Sequence, residues 1–408
     1  MADIVALTKD LPDLLEVPSR APDLLGITCQ LAHRLADVAC VWQDLSGAGV
    51  QSPGQDIGFI RLWVEALGIR EADQYYLTAS LNGRPVALLP LHRRRVKGVR
   101  MLTWFPGPHV GCNAPLVDAA ALAALTADER RVLWQRLLSD VAGADAVYLK
   151  AVPEMIVDGV DIFAELGRSI DVETLYRAQF ASWEEANTTQ RNKSRRKHDR
   201  QQGERLEALG VVSFETLANG DQALAVLDIM FRQRAARFRA MGVFDPFAVP
   251  AIRAFYDATV RANSGVAIKL HLLRLDGEIV AVRYNVVEGD RLFCLISSMS
   301  DDASIQGGSP GKQCLLRVMQ TEFDAGYRMF DMGAGFTDEK RHWCNVQIPV
   351  RQHYLPITRR GALASAAHRN WALQRQRIKS DPQLLRLAKS ARGLLLKLAG
   401  KSVASSED

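Results

Sequence analysis

The chain has 408 residues, of which 48% are hydrophobic and 24% are charged, and these are ordinary values for a globular protein of about two domains. Six cysteines lie far apart without a Cys-x-x-Cys pair, which argues against a zinc ribbon or a disulfide framework and fits a reducing compartment. The N-terminus lacks the pattern of a signal peptide and no apolar run is long enough to span a membrane, so we expect a cytoplasmic protein.

The positive charge is concentrated in two places. The net charge is +5, yet residues 359–401 hold eleven Lys or Arg and one Asp, a balance of +10, so the rest of the chain is close to −5. A second basic segment spans residues 191–205. This distribution argues against a protein that binds nucleic acid over its whole surface, and it leaves one internal helix and the tail as the basic features.

The first half is predicted to contain helices and a hairpin. A Pro- and Gly-rich segment covers residues 1–55, with one helix near 30–44. An apolar stripe that begins at Phe59 indicates a helix that ends near Gly68. Asn82-Gly83 between two apolar runs indicates a hairpin, because both turn residues need a positive φ. The other predicted elements are strands at 75–81, 85–91, 101–105 and 146–149 and a helix at 128–141.

The second half repeats this order. A three-stranded meander is predicted over 266–297, with turns at Asp276-Gly277 and Glu288-Gly289. The repeated order of elements indicates a duplicated α/β unit. Only the second copy has a Gly-rich loop before its next helix, so we interpret it as the copy that can bind a phosphate. The other predicted elements are helices at 183–209, 221–241, 250–263 and 312–325 and a strand at 328–332.

The Gly-rich loop at 306–311 is the strongest candidate for a binding site. A helix start presents unpaired N–H groups and a partial positive charge, and glycines let the backbone come close to an anion. The loop fits neither the Walker nor the Rossmann pattern, and an ordinary helix-capping turn is the structural alternative. The residues expected to bind a pyrophosphate are Gly308, Ser309, Pro310, Gly311 and Lys312.

Short motifs around this loop resemble one branch of the GNAT acyltransferases, the CelD/BcsL-like acyltransferases, which are relatives of the FemABX peptidyltransferases. The resemblance covers about residues 175–355, and it includes a basic helix at the start of that region. Glu339 departs from the tyrosine that this branch often has before its lysine. The matching motifs are Ser309-Pro310-Gly311, then Gly326 with Phe330-Asp331-Met332-Gly333 and Gly335, and finally Lys340 with Trp343.

The resemblance implies a fold and an activity. The fold class is α/β (α+β), with tandem GNAT-like units, each a mixed, mostly antiparallel sheet flanked by helices, plus a C-terminal helical tail. The activity is the transfer of an acyl group from acetyl-CoA or another acyl-CoA to an amine on a small molecule, a sugar or a cell-envelope polysaccharide precursor. The expected divisions are an N-terminal segment (1–55), a non-catalytic unit (56–172), the acyltransferase unit (173–358) and a basic amphipathic tail (359–408).

Two other functions fit the same motifs. A FemABX-type transferase takes its group from aminoacyl-tRNA, and tRNA is the one nucleic acid that we expect as a partner. A non-catalytic accessory protein of polysaccharide synthesis would use the fold for binding alone. Within the enzyme interpretation we expect direct attack of the amine on the donor, because no Cys or Ser lies in an evident nucleophile motif.

Individual side chains can be given roles within this site. Asp331 is expected at a strand end, where it can act as general base, and an aspartate that caps the next turn is the alternative. Lys340 is expected to contact a phosphate or the acceptor, with a solvated surface lysine as the alternative. Trp343 is a candidate substrate platform or a core aromatic. Arg196 and Arg200, four residues apart, form a candidate patch for a phosphorylated acceptor or tRNA, or a solvated helix face.

The tail and the histidines complete the sequence-based expectations. Residues 383–400 form an amphipathic pattern with a leucine face and a basic face. Such a helix can lie peripherally on an anionic membrane surface, here the inner face of the membrane, and docking on its own domain is the alternative. The eight histidines show no spacing typical of metal ligands, so we expect no metal cofactor.

Overall fold

A computed structural model describes residues 26–47, 49–139 and 141–381, and most of this part of the chain is helix or strand. The strands are β1 (Ile27–Ala32), β2 (Gln74–Leu81), β3 (Arg84–Val96), β4 (Val99–Trp104), β5 (Leu116–Val117), β6 (Ala146–Pro153), β7 (Ile156–Val157), β8 (Val160–Asp161), β9 (Arg168–Gln179), β10 (Val212–Leu217), β11 (Ile268–Leu275), β12 (Glu278–Glu288), β13 (Arg291–Met299), β14 (Met329–Ala334) and β15 (Val346–Pro356).

Local signals begin and end the helices. Asp56, Ser182, Asn192 and Thr358 each accept an N–H bond at a helix start, as N-cap residues do. Gly68 takes the left-handed conformation at the end of α2. The α-helices are α1 (Ala39–Ser46), α2 (Ile57–Leu67), α3 (Ala119–Ala123), α4 (Ala127–Ser139), α5 (Trp183–Gln190), α6 (Lys193–Glu207), α7 (Asp221–Ala240), α8 (Pro250–Thr259), α9 (Pro310–Asp324), α10 (Asp338–Trp343) and α11 (Arg359–Ser380).

The sheet repeats one arrangement in the two halves of the described chain. Its thirteen strands follow the order β1-β2-β3-β4-β6-β15-β9-β14-β13-β12-β11-β10, with β5 paired to β3. In the first half, an antiparallel meander ends in β4, which runs parallel to β6. In the second half, an antiparallel meander ends in β13, which runs parallel to β14. The expected fold class, two mixed and mostly antiparallel units flanked by helices, is therefore confirmed.

Two strands are exchanged at the centre of the sheet. β15 follows the second unit in sequence, yet it pairs with β6 of the first unit. β9 follows the first unit and pairs with β14 of the second, and β15 and β9 pair with each other over nine residue pairs. The predicted boundary between residues 172 and 173 lies inside β9, and the division into domains stays a prediction.

The main hydrophobic core is shared by both halves. Trp42, Phe59 and Trp63 of the first half belong to the same buried cluster as Phe255 and Tyr284 of the second half. The ring of Phe255 meets those of Phe59 and Trp63 edge to face, each with centroids 4.9 Å apart. Because α2 and α8 pack through these rings, the halves are held together by side chains as well as by strand pairing.

The structure confirms some predicted elements and corrects others. Both Asx-Gly turns are present, with φ of 49° at Asn82 and at Asp276. The helix predicted near 30–44 is wrong at its start, because Gln30 pairs with β2 and the α-helix begins only at residue 39. The helix predicted over 183–209 is two helices, since Arg191 is extended and Asn192 caps the second. The strands β1, β5, β7, β8, β9, β10 and β15 were not predicted.

The tail is only partly described. The helix α11 lies within the predicted division 359–408, whereas the amphipathic pattern at 383–400 falls outside the described residues. In the described part of the chain, no helix is both long enough and apolar enough to cross a membrane.

Candidate functional site

Two parallel strands separate at the centre of the second unit. β13 and β14 are paired only from Arg291 and Met329 to Phe293 and Asp331. Beyond this point β13 has a bulge on its other side, where Leu295 has no partner on β12. A bulge interrupts the ladder and bends the strand, so it is a common device beside ligand sites. Because β13 and β14 diverge here, a gap opens between the edges of two strands that are otherwise buried.

A cavity of about 270 Å³ lies at this gap and is lined by both halves of the chain. The second half contributes the ends of β13 and β14 and one side chain of α10, and the first half contributes a loop and the end of β6. The loop approaches closely, because a Cβ on Gly111 would lie 2.8 Å from the Cα of Gly333. The lining residues are Gly107, Pro108, His109, Val110, Gly111, Lys150, Ala151, Glu173, Cys294, Leu295, Met332, Gly333, Ala334 and Lys340.

The first half also has an irregular strand at the cavity. The pairing of β6 with β15 shifts between Val152 and Leu149. Within this shift, Ala151 has a φ of 59°, which is unusual for a residue with a side chain. Strained backbone of this kind persists only where surrounding contacts enforce it, and it is often found at functional sites. Both bulged strands therefore meet the same cavity.

The charged side chains of the cavity differ in whether they make hydrogen bonds or ion pairs. Nζ of Lys340 donates to the carbonyl oxygens of Ala334 at 2.8 Å and Gly333 at 3.3 Å, and burial lowers its pKa. Lys150 and Glu173 are both exposed, and neither makes a hydrogen bond or an ion pair with a described residue. The cavity thus holds one cation and one carboxylate that make no hydrogen bond or ion pair, and the carboxylate interacts electrostatically with Lys340.

Two further cavity residues are held uncharged. Burial lowers the pKa of His109 to about 4, and its Nδ1 lies 3.2 Å from the hydroxyl of Tyr256. Burial also raises the pKa of the Cys294 thiol. At neutral pH the imidazole is neutral and the thiol is protonated, and a protonated thiol is a poor nucleophile. The Cys294 thiol is therefore not activated as a nucleophile.

The start of α9 has an unusual backbone. Ser309 stands at the N-cap with a φ of 49°, but its side chain accepts a bond from Gln202 of α6 at 2.8 Å instead of capping the helix. The N–H groups of Ser309 and Lys312 are used in local turns. Gly311 N–H makes no hydrogen bond within the described residues. Among the N–H groups of Ser309, Gly311 and Lys312, that of Gly311 is the one left open.

A buried arginine links this helix start to the cavity. Arg283 of β12 is 5% exposed, and its Nε has no partner among the described residues. Its guanidinium lies 3.2 Å from the carbonyl oxygen of Gly311, 3.9 Å from the sulfur of Cys294 and 3.5 Å from a carboxylate oxygen of Glu339. The helix start and the gap between β13 and β14 are therefore parts of one continuous region.

Asp331 is fully engaged by its neighbours. It is buried, one carboxylate oxygen lies 2.8 Å from Nε of Arg177, and the other accepts the N–H of Gly333 at 2.7 Å. Arg177 in turn donates to the side chain and backbone of Gln51. This geometry favours the structural alternative, an aspartate that fixes the turn after β14, over a general base.

The remaining predicted site residues lie away from the cavity. Trp343 is buried, stacks on Trp183 with centroids 6.0 Å apart and lies under the Arg191 guanidinium, which favours the core alternative. Arg196 donates to the backbone carbonyls of residues 187 and 191, so it anchors the α5–α6 junction. Arg200 is exposed and pairs loosely with Glu204 at 3.5 Å.

The sequence did not reveal three of the cavity residues. Lys150 directly follows the predicted strand 146–149, and that position at a strand end was a usable signal. Glu173 lies on β9, which was not predicted. His109 lies in a segment that was read only as a loop. Within the described residues, no group of His, Cys, Asp or Glu has the geometry of a metal site.

Comparisons with known proteins agree with this topology. Residues 193–341 match the model of the acetyltransferase (GNAT) domain, and this region contains β13, the Gly-rich loop, α9 and β14. The match supports an acyltransferase, a class that generally uses an acyl-CoA as co-substrate. No curated protein matches the sequence.

Several solved structures are similar to this chain at low sequence identity. FemX is 12% identical, with 82% of this chain and 100% of FemX covered and a TM-score of 0.52. A C-terminal domain (DUF2156) assigned to a lysylphosphatidylglycerol synthetase of Agrobacterium fabrum is 16% identical, covers 81% and 95% of the two chains and has a TM-score of 0.49. A tandem GNAT protein of clavulanic acid biosynthesis is 11% identical, covers 81% and 99%, and has a TM-score of 0.40. At 12% identity the likeness to FemX concerns the fold alone.

Proposed function

We propose that the protein is an acyl-CoA-dependent N-acyltransferase that transfers an acyl group, most simply acetyl, to an amine. The observation that carries the proposal is the gap between β13 and β14, which opens into a cavity and lies beside the start of α9 in the part that matches the GNAT domain. The diphosphate of the donor would lie at Gly311 N–H, where the helix dipole favours negative charge. The resemblance to the CelD/BcsL-like branch and an acceptor on a sugar or polysaccharide precursor belong to this proposal.

The donor and the acceptor would approach the reaction from different halves of the chain. The acyl end of the donor would enter between β13 and β14 at the Leu295 bulge, and the acceptor would occupy the part of the cavity lined by β6, β9 and the loop at residues 107–111. Lys340 would face the transferred group, although two carbonyl oxygens already hold its ammonium. Asp331 would act by fixing the turn at Gly333 and not by taking a proton.

Titration calorimetry with acetyl-CoA and a charge-introducing variant tests the donor site. In Gly311→Glu, a carboxylate beside the open N–H would repel the diphosphate, and we expect at least about a tenfold loss of affinity. Because a Cβ at Gly311 would lie 3.1 Å from Sδ of Met299, Gly311→Gln is the steric control, and the charge control is Gly307→Glu, where a side chain earlier in the loop has open space. We expect the affinity of Gly307→Glu to change much less, since exposed charges are screened over about 10 Å.

The same titration can contradict the proposal. If the intact protein does not bind acetyl-CoA or a longer acyl-CoA, the donor assignment is wrong. If Gly311→Glu and Gly307→Glu lose affinity equally, the loop binds the donor only through its general charge and Gly311 has no special role.

A second candidate donor is aminoacyl-tRNA, and the position of α6 supports it. Gln202 and the carbonyl oxygen of Asp199 join α6 to the start of α9, and Lys193, Lys197 and Arg200 of α6 are exposed. Binding of tRNA that weakens steeply with salt, together with no acetyl-CoA binding, would favour this donor. Absence of both would favour the non-catalytic accessory role. Contact with an anionic membrane through the tail concerns residues outside the described part and stays a prediction.

A further inference from the structure

We infer that the amine acceptor also carries an acidic group, with Glu173 as the residue that receives its ammonium and Lys150 as the residue that binds its carboxylate or phosphate. The inference rests on the proposed function for the nature of the reaction. Its evidence is separate, because it comes from the acceptor side of the cavity and not from the start of α9.

Glu173 is placed as an acceptor-binding carboxylate. It lies on β9, where its backbone pairs with Val350 of β15, and its side chain lines the cavity. It interacts electrostatically with Lys340 but makes no hydrogen bond or ion pair with a described residue, in contrast to Asp171 on the same strand, which pairs with Arg351. An exposed and unpaired carboxylate in a reaction cavity can bind an ammonium and accept its proton.

Lys150 is placed as the binding group for an anion. It lies at the shift in β6, next to Ala151 with its φ of 59°, and it is exposed without a partner among the described residues. The strained backbone changes the direction of the strand where its side chain meets the cavity. Lys340 is less available for this role, because two carbonyl oxygens already accept from its ammonium.

The separation of the two charges suits a small bifunctional molecule. β15 lies between β6 and β9, and Lys150 lies about two residues along the strands from the level of Glu173, so the two backbones are about 12 Å apart. The two side chains make no ion pair with each other. His109 is neutral and the Lys340 ammonium is held by two carbonyl oxygens, so Lys150 and Glu173 are the charged side chains left open to a ligand on the acceptor side. The complementary ligand carries an amine and an acid a few bonds apart.

The proposed step is balanced in atoms and charge. The ammonium of the acceptor transfers one proton to the Glu173 carboxylate, and the free amine attacks the thioester carbonyl. The new C–N bond forms, the C–S bond breaks, and CoA leaves as a thiolate. The proton left on the nitrogen of the product and the thiolate charge are neutralised through solvent, and Glu173 returns its proton to solvent.

Matched amines test the acidic group directly. CoA release from acetyl-CoA by the full chain would be compared for 5-aminopentanoate against pentylamine, and for glucosamine 6-phosphate against glucosamine. We expect the acidic member of at least one pair to react with a kcat/KM about tenfold higher, as charge-assisted bonds provide. The first pair reports a carboxylate acceptor and the second reports a phosphate acceptor.

Variants of the two residues separate their roles. Lys150→Glu should remove the preference for the acidic member and favour pentane-1,5-diamine, whereas Lys97→Glu, at an exposed turn away from the cavity, should leave the preference unchanged. Glu173→Gln should lower kcat about 100-fold or more, with KM for acetyl-CoA unchanged. Glu184→Gln, on the exposed start of α5, is its control.

The outcomes distinguish this inference from the proposed function. Calorimetry of each amine pair without donor also reports on the cavity, so the test does not depend on acetyl-CoA. If acetyl-CoA does not bind but an acidic amine binds more tightly than its counterpart, and Lys150→Glu reverses this, the acceptor site stands and the donor assignment fails. If no acidic amine is preferred in turnover or in binding, the inference is wrong.

Discussion

A buried ion pair between Arg177 of β9 and Asp331 of β14 lies directly behind the wall of the cavity. The two side chains are 6% and 4% exposed, so neither charge is stabilised much by water. Arg177 also holds Gln51 of the first half, and Asp331 holds the N–H of Gly333. A pair of this kind contributes little net stability when it is complete, but the loss of one partner leaves the other charge buried and uncompensated.

Asp331→Asn should therefore act mainly on folding. The amide preserves the shape of the side chain but leaves the Arg177 guanidinium without a counter-charge, and we expect the free energy of unfolding to fall by about 3–5 kcal/mol. Urea denaturation measures this change. Asp324→Asn, at the exposed end of α9, should change stability by less than about 0.5 kcal/mol.

Retained stability with lost activity would instead favour Asp331 as the general base. If Asp331→Asn retains its stability but loses activity with any amine, the carboxylate takes part in proton transfer and not in positioning the turn.

At the scale of elements, the packing of α6 against the loop before α9 sets the position of the proposed donor site. A Cβ on Gly308 would lie 2.8 Å from the Cβ of Leu206 and 3.0 Å from its Cα, closer than packed atoms allow. Gln202 of α6 also holds Ser309, and Gln313 of α9 donates to the backbone of Asp199. The glycine is needed here because the helix backbone occupies the space of a side chain.

Gly308→Ala should push the loop away from α6. We expect a loss of about 1–3 kcal/mol in the free energy of unfolding, as overpacking typically costs, together with weaker binding of acetyl-CoA. Gly307→Ala is the control, because a methyl group there meets no atom within 4 Å. Denaturant unfolding and calorimetry measure the two effects, and equal behaviour of the two variants would contradict the proposed packing constraint.

Local chemistry explains which elements could be predicted. The turns at Asn82-Gly83 and Asp276-Gly277 and the helix end at Gly68 each depend on a few adjacent residues, so the sequence reveals them. The break at Asn192 was overlooked, although a capping asparagine was a local signal. β9 and β15 depend on pairing across more than 150 residues, which no local pattern specifies. The candidate site shows the same difference between local and long-range signals. The Gly-rich loop is a local sequence pattern, whereas Glu173 and Lys150 come to one cavity only through the order of the strands.

At the scale of the whole molecule, a second contact between the halves carries two neighbouring carboxyl groups. Asp56 begins α2 in the first half and Glu288 ends β12 in the second, and both line a cavity of about 330 Å³. Burial raises the pKa of Glu288 to about 7, with a further contribution from the Asp56 charge and hydrogen bond. Burial also raises the pKa of Asp56. The folded state therefore binds a proton here that the unfolded chain releases near pH 4.5.

The direction of the Glu288 pKa shift determines how the stability depends on pH. A raised carboxyl pKa stabilises the folded state below the unfolded value of 4.5, and this contribution is lost as the pH rises through about 7. Glu288→Gln keeps a hydrogen-bonding group without the charge, so above neutral pH it should be more stable than the natural chain. We expect about 1 kcal/mol, well below the full value of the shift, because Glu288 is partly solvated.

Urea midpoints near pH 5 and near pH 8.5 measure this effect. Glu288→Gln should match the natural chain at the lower pH and exceed it at the higher pH, whereas Glu278→Gln, at the exposed other end of β12, should show the same difference at both. An advantage of Glu288→Gln that does not depend on pH would mean that the substitution improves packing and that the two carboxyl groups do not share a proton. A lower stability at pH 8.5 would mean that the ionised Glu288 has a cationic partner, and the contact between the halves would then strengthen with pH instead of weakening.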